Sequence, residues 1–219
     1  QEDVVQALSD IQREIADLPQ THAAVWDVFK TVRNRQDPEQ YEALLGDAAK
    51  RAKFYDRLQV FSRKLQVALS AVAFHEKTPA AKVRQYKDDL RFFCDLRTAV
   101  RRRYAETVDF REYEKRVQKL LDTHVGTGEV EPLTELVNIF DEQAFAQEVN
   151  KCRSPAAKAD TIAHRTKKTL SEKWEKEDPA FYKKFSQLVE EAIEDFRAHR
   201  ISDAEYLKKV TEALNHVRH

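Results

Sequence analysis

Residues Asp178-Pro179-Ala180-Phe181-Tyr182-Lys183-Lys184-Phe185-Ser186-Gln187-Leu188-Val189-Glu190-Glu191-Ala192-Ile193-Glu194-Asp195-Phe196 decide the fold class. An aspartate standing before a proline supplies a carboxylate for the free first-turn N–H groups of a helix. The proline supplies a φ already set for the first helical position. Phe181, Phe185, Leu188, Val189, Ile193 and Phe196 then recur at intervals of three and four, the period of a helix with one buried stripe.

The same signals repeat in both directions. Downstream, Ser202 and Glu205 form a capping box ahead of Tyr206, Val210, Leu214 and Val217. Upstream, Ser154-Pro155 opens a stripe of Ala159, Ile162, Thr166, Leu170 and Trp174, and Asp141 starts a short helix with Phe145 and Val149. Asp109 is placed to cap Tyr113, Val117, Leu120 and Leu121. Thr78-Pro79 opens Val83, Tyr86, Leu90, Phe93, Val100 and Tyr104. Asp37-Pro38, with Gln40 at the capping-box position, leads a stripe from Tyr41 through Leu44, Leu45, Ala48, Ala52, Tyr55, Leu58, Phe61, Leu65 and Leu69 to Val72. Its register runs across Gly46, which predicts one long helix with a bend. Near the start, Val4, Leu8, Ile11, Ile15 and Leu18 predict a helix closed by Pro19. Thr21 is then placed to cap a second one with Val25, Val28, Phe29 and Val32 inward and Trp26 beside them.

Composition agrees with this reading. Only 3 glycines and 6 prolines punctuate 219 residues, too few for the turns that strands need. Charged residues make up 35% and hydrophobic ones 42%, which suits helices with one buried stripe and one ionic face. The 12 phenylalanines and 7 tyrosines exclude a disordered chain. With 38 basic and 38 acidic side chains the formal net charge is zero, so a strongly basic nucleic-acid binder is not indicated, although a local patch is allowed. Cys94 and Cys152 are isolated and read as reduced structural thiols. No signal peptide and no apolar run of membrane-spanning length occurs, which predicts a soluble, cytoplasmic protein. The missing initial methionine predicts a piece of something longer.

The helical pattern stops once, between His124 and Phe140, where Gly126, Gly128 and Pro132 precede Leu136-Val137-Asn138-Ile139-Phe140. Four apolar side chains left in water would make a sticky patch, so Leu136, Val137, Ile139 and Phe140 are expected to be buried. The Asn138 amide among them is then expected to bond the loop's own backbone, with Asp141 capping the next helix. The fold class is therefore all-α, built of long amphipathic helices. The pattern leaves two architectures open: helical subdomains 1–123 and 141–219 joined by the irregular loop 124–140, or one continuous bundle.

No local catalytic motif is present. Three scattered glycines cannot form a phosphate loop, and Cys-x-x-Cys, His-Glu-x-x-His and Gly-x-Ser-x-Gly are all missing. His75-Glu76 is followed by Lys-Thr-Pro, which breaks the helix that a zinc motif requires. The seven histidines show no metal spacing. No catalytic, cofactor-binding or metal-binding residue is assigned. Two basic clusters stand out: Arg97, Arg101, Arg102 and Arg103 with Lys115 and Arg116 downstream, and Arg165 with Lys167 and Lys168. Arg101, Arg102, Arg103, Lys167 and Lys168 are candidates for phosphate contacts on DNA. The plainer reading is solvated helix faces answered by Asp95, Glu106, Glu172 and Glu175. Trp26 and Trp174 read as packing residues rather than stacking platforms for bases.

Several blocks, in order, resemble the C-terminal helical region of type I restriction enzyme R subunits. They are Asp89-Leu-Arg-Phe-Phe93, Val100-Arg-Arg-Arg-Tyr-Ala-Glu106, Val117-Gln-Lys-Leu-Leu-Asp-Thr-His-Val125, Leu136-Val-Asn-Ile-Phe-Asp141, Ser154-Pro-Ala-Ala-Lys-Ala-Asp-Thr-Ile162 and Glu177-Asp-Pro-Ala-Phe-Tyr-Lys-Lys-Phe185. The likeness covers roughly residues 55–210 and is less clear over the first fifty. It implies an attachment module that joins an ATP-driven DNA motor and nuclease to a methyltransferase core of modification and specificity subunits. ATP, magnesium and DNA cleavage would belong to the rest of such a subunit. Under that implication Leu136, Val137, Asn138, Ile139 and Phe140 are candidate partner-docking residues. The competing readings are a domain that contacts double-stranded DNA beside the motor and a stand-alone helical scaffold.

Overall fold

The computed structural model describes residues 2–106, 111–126 and 135–219, and among these the fold is all-α and multi-helical, without a strand. The helices are α1 (Glu2–Asp27), α2 (Pro38–Leu44), α3 (Ala48–Leu69), α4 (Val72–Lys77), α5 (Ala80–Tyr104), α6 (Arg111–Leu120), α7 (Glu142–Asn150), α8 (Pro155–Lys173), α9 (Pro179–Arg197) and α10 (Asp203–Arg218). No helix among the described residues is long and apolar enough to cross a membrane. The chain divides into two compact units, residues 1–98 with 108–133, and residues 99–107 with 134–219. The expected cap Asp109 and loop residues 127–134 lie outside the described residues.

The first unit departs from the sequence pattern near its start. Pro19 does not close a helix but lies inside α1. It has no N–H to give the carbonyl of Ile15, a defect that usually kinks or ends a helix. Here α3 holds α1 on both sides of it. Lys64 reaches Glu14 (2.8 Å) and Asp17 (3.3 Å) before the proline, and Arg57 reaches the Ala24 carbonyl (2.7 Å) and Asp27 (3.1 Å) after it. Leu18, His22 and Val25 are buried across the break in one stripe, so tertiary packing overrides the local penalty. Thr21 accordingly caps nothing; its hydroxyl donates to the Leu18 carbonyl (3.0 Å). Because Pro19 is exposed, Pro19→Ala should restore the missing hydrogen bond without disturbing the core. The variant is expected to be more stable by about 1–3 kcal/mol, read as a higher denaturant midpoint.

The long helix expected from Pro38 to Val72 is three helices. Asp47 ends the continuity: its side chain accepts from Ala49 and Lys50 N–H (2.9 and 3.0 Å) and so starts α3 afresh. Arg51 satisfies the carbonyls left at the end of α2, donating to Leu45 (2.7 Å) and Gly46 (3.2 Å). Val72 begins α4 and is exposed rather than inward. Gln40 does not complete a capping box. Its side-chain oxygen accepts from the N–H groups of Arg33 and Asn34, which stabilises the irregular link before α2. After α6, a π-helical turn at Leu121–Val125 ends on Gly126, whose φ of 85° favours glycine. Arg91 donates to the carbonyls of Val125 and Gly126 there.

An aromatic cluster fills the first unit. Trp26 lies parallel to Phe92 and near Phe93, while Phe29 packs on Tyr41, Phe54 and Phe93. The Trp26 indole donates to Asp89 (3.0 Å), which also meets His22 (2.6 Å). Trp26 is thus packing, as its place in the pattern suggests. Cys94 is a free thiol whose burial pushes its pKa up to about 12, so it stays protonated.

The second unit is built on α8, α9 and α10. Ile162, Leu170, Val189, Ile193, Tyr206, Val210 and Leu214 form its core, joined by Phe145 of α7 and Ile139. The caps Asp141, Ser154, Asp178 and Ser202 each accept from a first-turn N–H as expected, and Ser202 with Glu205 closes both arms of a capping box. Leu188, expected inward, is exposed; Val189 and Ala192 take the buried face of α9.

Candidate docking site

Ser154 and Pro155 fix where α8 begins, and that start sets the direction of Arg165. Arg165 lies three residues after Ile162 and therefore on the buried stripe. Its side chain is 3% exposed. One guanidinium nitrogen donates to the Val137 carbonyl and another to Glu148 of α7 (2.6 Å). The other oxygen of Glu148 accepts from the Val137 N–H (3.4 Å), so the ion pair grips that peptide group on both sides. Burial lowers the pKa of the Arg165 guanidinium, and the Glu148 carboxylate opposes that shift.

Two residues on, the Ile139 carbonyl accepts from Arg218 of α10 (2.6 Å). Asn138 accepts from the Phe140 N–H (3.0 Å) and its carbonyl from the Asp141 N–H (3.1 Å), which closes a tight turn. Asp141 then accepts from Ala144 N–H (3.0 Å). The backbone from Val137 to Asp141 is thus held by side chains from α7, α8 and α10.

This anchoring sorts the loop's side chains. Ile139 is 0% exposed and joins the core, but Phe140 is 38% exposed. Leu136 and Val137 are half-buried and Asn138 is exposed. The expectation that all four apolar residues are buried is corrected: the turn that seats Ile139 turns Phe140 outward. Phe140 meets Trp174 (5.9 Å between rings), and Trp174 meets Phe181 (5.2 Å), which packs on buried Phe185 (4.5 Å). Lys173 places its ammonium 4.5 Å from the ring centres of both Phe140 and Trp174. The result is an aromatic ladder rising from the core to solvent, with a cation at its outer end.

A second ionic network lies deeper. Arg103 donates to Asp160 (2.8 Å), and the Tyr206 hydroxyl donates to the other oxygen of the same carboxylate (2.9 Å). Burial, joined by the nearby Asp160 carboxylate, raises the Tyr206 phenol far above its ordinary range.

The basic clusters therefore do not behave as uniform solvated faces. Arg97, Arg103 and Arg165 are buried, Arg97 over the Tyr55 ring and the other two in the networks above. Arg103, only 2% exposed, is not placed to meet a phosphate at the surface. Arg101 and Arg102 are half-buried, and Arg101 donates to the Glu106 carbonyl (3.4 Å). Lys167 pairs with Glu190, and Lys168 with Glu172 (3.5 Å). Register was the available signal: Arg103 follows Val100 by three and Arg165 follows Ile162 by three, which puts both charges on the apolar stripe rather than opposite it. Among the described residues no group of three or more His, Cys, Asp or Glu side chains could hold a metal ion.

Comparison with known proteins gives one family. The family model described as Type I restriction enzyme HindI endonuclease subunit-like, C-terminal, matches residues 2–219. No curated protein and no solved structure matches the chain.

Proposed function

The chain belongs to the family of C-terminal domains of type I restriction enzyme HindI endonuclease subunit-like proteins, and on that footing we propose that it is an attachment module. In this reading it joins the ATP-dependent DNA translocase and nuclease of its subunit to the modification and specificity subunits. The whole complex then restricts foreign DNA, with ATP and magnesium serving the catalytic parts of the enzyme.

The observation that carries the reading is Phe140. A large aromatic ring, 38% exposed, stands on a loop whose backbone three other helices hold in place. Exposed aromatics on a rigid support lose little entropy on binding, and aromatic side chains, phenylalanine included, are enriched at protein–protein interfaces. Leu136 and Val137, half-buried beside it, would widen the contact.

Phe140→Ala tests this. Part of the ring already meets water, so thermal unfolding should show a loss of only about 1–2 kcal/mol, below that of a full core truncation. Association with the modification and specificity subunits, measured by co-purification and by titration, should fall at least about tenfold. Full assembly by Phe140→Ala and by Trp174→Ala alike would overturn the placement of the docking edge. Contact with double-stranded DNA through Arg101, Arg102, Lys167 and Lys168 is the lesser proposal, because carboxylates already partner both lysines.

A further inference from the structure

The aromatic ladder of the second unit carries two ammonium groups laid along it. Lys173 lies 4.5 Å from the ring centres of both Phe140 and Trp174. Lys184, one residue before Phe185 on α9, places its ammonium 5.2 Å from the centre of that ring. Leu188 follows one turn later on the same face and is 45% exposed. Apolar surface and positive charge therefore share one patch, from the loop at Phe140 onto α9.

The place of the cations decides what can cover the patch. Each ammonium sits against a ring, so a partner that packs on the rings also takes the ammonium out of water. The rings offset part of that cost. The rest is large unless an opposite charge meets the cation. The chain itself does not supply one: neither lysine forms an ion pair among the described residues. The acids nearest Lys173 in sequence are turned elsewhere, Glu172 to Lys168 (3.5 Å) and Glu175 to the Ser171 hydroxyl (2.8 Å). A wholly apolar partner would leave two charges stranded. A nucleic acid would bring phosphates, but its backbone offers little apolar surface to Phe140 and Leu188. The exposed acids Glu175, Glu177 and Asp178 in the turn after α8 would also repel a polyanion. A protein segment that mixes carboxylates with apolar side chains meets both needs.

We propose, resting on the docking reading above, that the partner covers this ladder with an acidic segment. An apolar side chain of that segment packs on Phe140 and Trp174, and its carboxylates pair with Lys173 and Lys184.

The test titrates the whole chain with the modification and specificity subunits at low and at high salt. Lys173→Glu and Lys184→Glu should each weaken association at least about tenfold, because a like charge then faces the partner's acid. Lys173→Arg should keep most of the affinity, since a guanidinium also lies on aromatic rings and pairs with carboxylates. Lys173→Met keeps the stem against the rings and should weaken association while flattening its salt dependence. Both lysines are exposed, so every variant should melt close to the parent. Association weakened by Phe140→Ala but untouched by salt and by both charge reversals would overturn the acidic partner and leave the docking edge standing. Association indifferent to Phe140→Ala and Trp174→Ala as well would overturn both. Tighter association in Lys173→Glu would also overturn the proposal, as would a short DNA duplex that binds through Lys173 more tightly than the subunits do.

Discussion

Asp160→Ala is expected to destabilise the second unit by about 3–5 kcal/mol. The carboxylate accepts from Arg103 at 2.8 Å and Tyr206 at 2.9 Å, and the Arg103 side chain is almost wholly buried. Removing it takes the acceptor from a buried guanidinium donor and leaves the Tyr206 phenol without the oxygen it donates to. At the usual conversion for a chain of this size the melting temperature should fall by roughly 6–20 °C. Tyr206→Phe removes one donor and leaves the ion pair intact, so it should cost only about 1 kcal/mol. Removing both partners together, as in Arg103→Met/Asp160→Leu, should recover part of the loss, because a buried ion pair replaced whole by apolar side chains no longer has its desolvation to offset. If Asp160→Ala melts within 1 °C of the parent, the network does not hold this unit together.

The second large effect is expected at Arg165→Met, again about 3–5 kcal/mol. Methionine fills the space of the stem but leaves Glu148 without its cation and the Val137 carbonyl without its donor. Here a local readout accompanies the global one. Hydrogen exchange at the Val137 amide, now bonded to Glu148, should quicken more than exchange within α10. Glu148→Gln keeps one carbonyl acceptor but puts a donating NH2 where the other oxygen stood, so one of the two donors loses its partner; it should be the milder change, at about 1–2 kcal/mol. An Arg165→Met protein with unaltered melting and unaltered Val137 exchange would show that the loop is held by something other than this pair. If the loop is the docking edge, Arg165→Met should also impair assembly although the residue is too deep to touch a partner.

These two sites show what the sequence could and could not disclose. Helix starts were legible because a cap is a local device: the side chains of Asp37, Asp141, Ser154, Asp178 and Ser202 reach backbone two or three residues away, so the information lies in a few adjacent letters. Pro19 misled because the forces that keep α1 whole come from Arg57 and Lys64, some forty residues later on α3. Asp47 does not stand out because the apolar register runs through it, and register says which face is inward without saying whether the backbone is continuous. The loop from Leu136 to Phe140 was found as the exception in the pattern. Its internal order was hidden, because whether Phe140 faces inward or outward depends on where Arg165 and Arg218 place the neighbouring carbonyls. The buried arginines were visible as letters but not as burial, since a charge on an apolar stripe looks like noise until its partner is known.

The chain's two tryptophans fall one to each unit, Trp26 in the first and Trp174 in the second. Their surroundings differ: Trp26 lies against Phe92 and Phe93 with its indole N–H on Asp89, whereas Trp174 sits under the ammonium of Lys173 beside Phe140. Trp174→Phe therefore leaves an emission that reports on the first unit alone, and Trp26→Phe one that reports on the second. Followed through a denaturant series, the two single-tryptophan proteins would reveal whether the halves melt at one concentration or at two. Trp174 emission would also register a partner arriving at Phe140 without any label being attached.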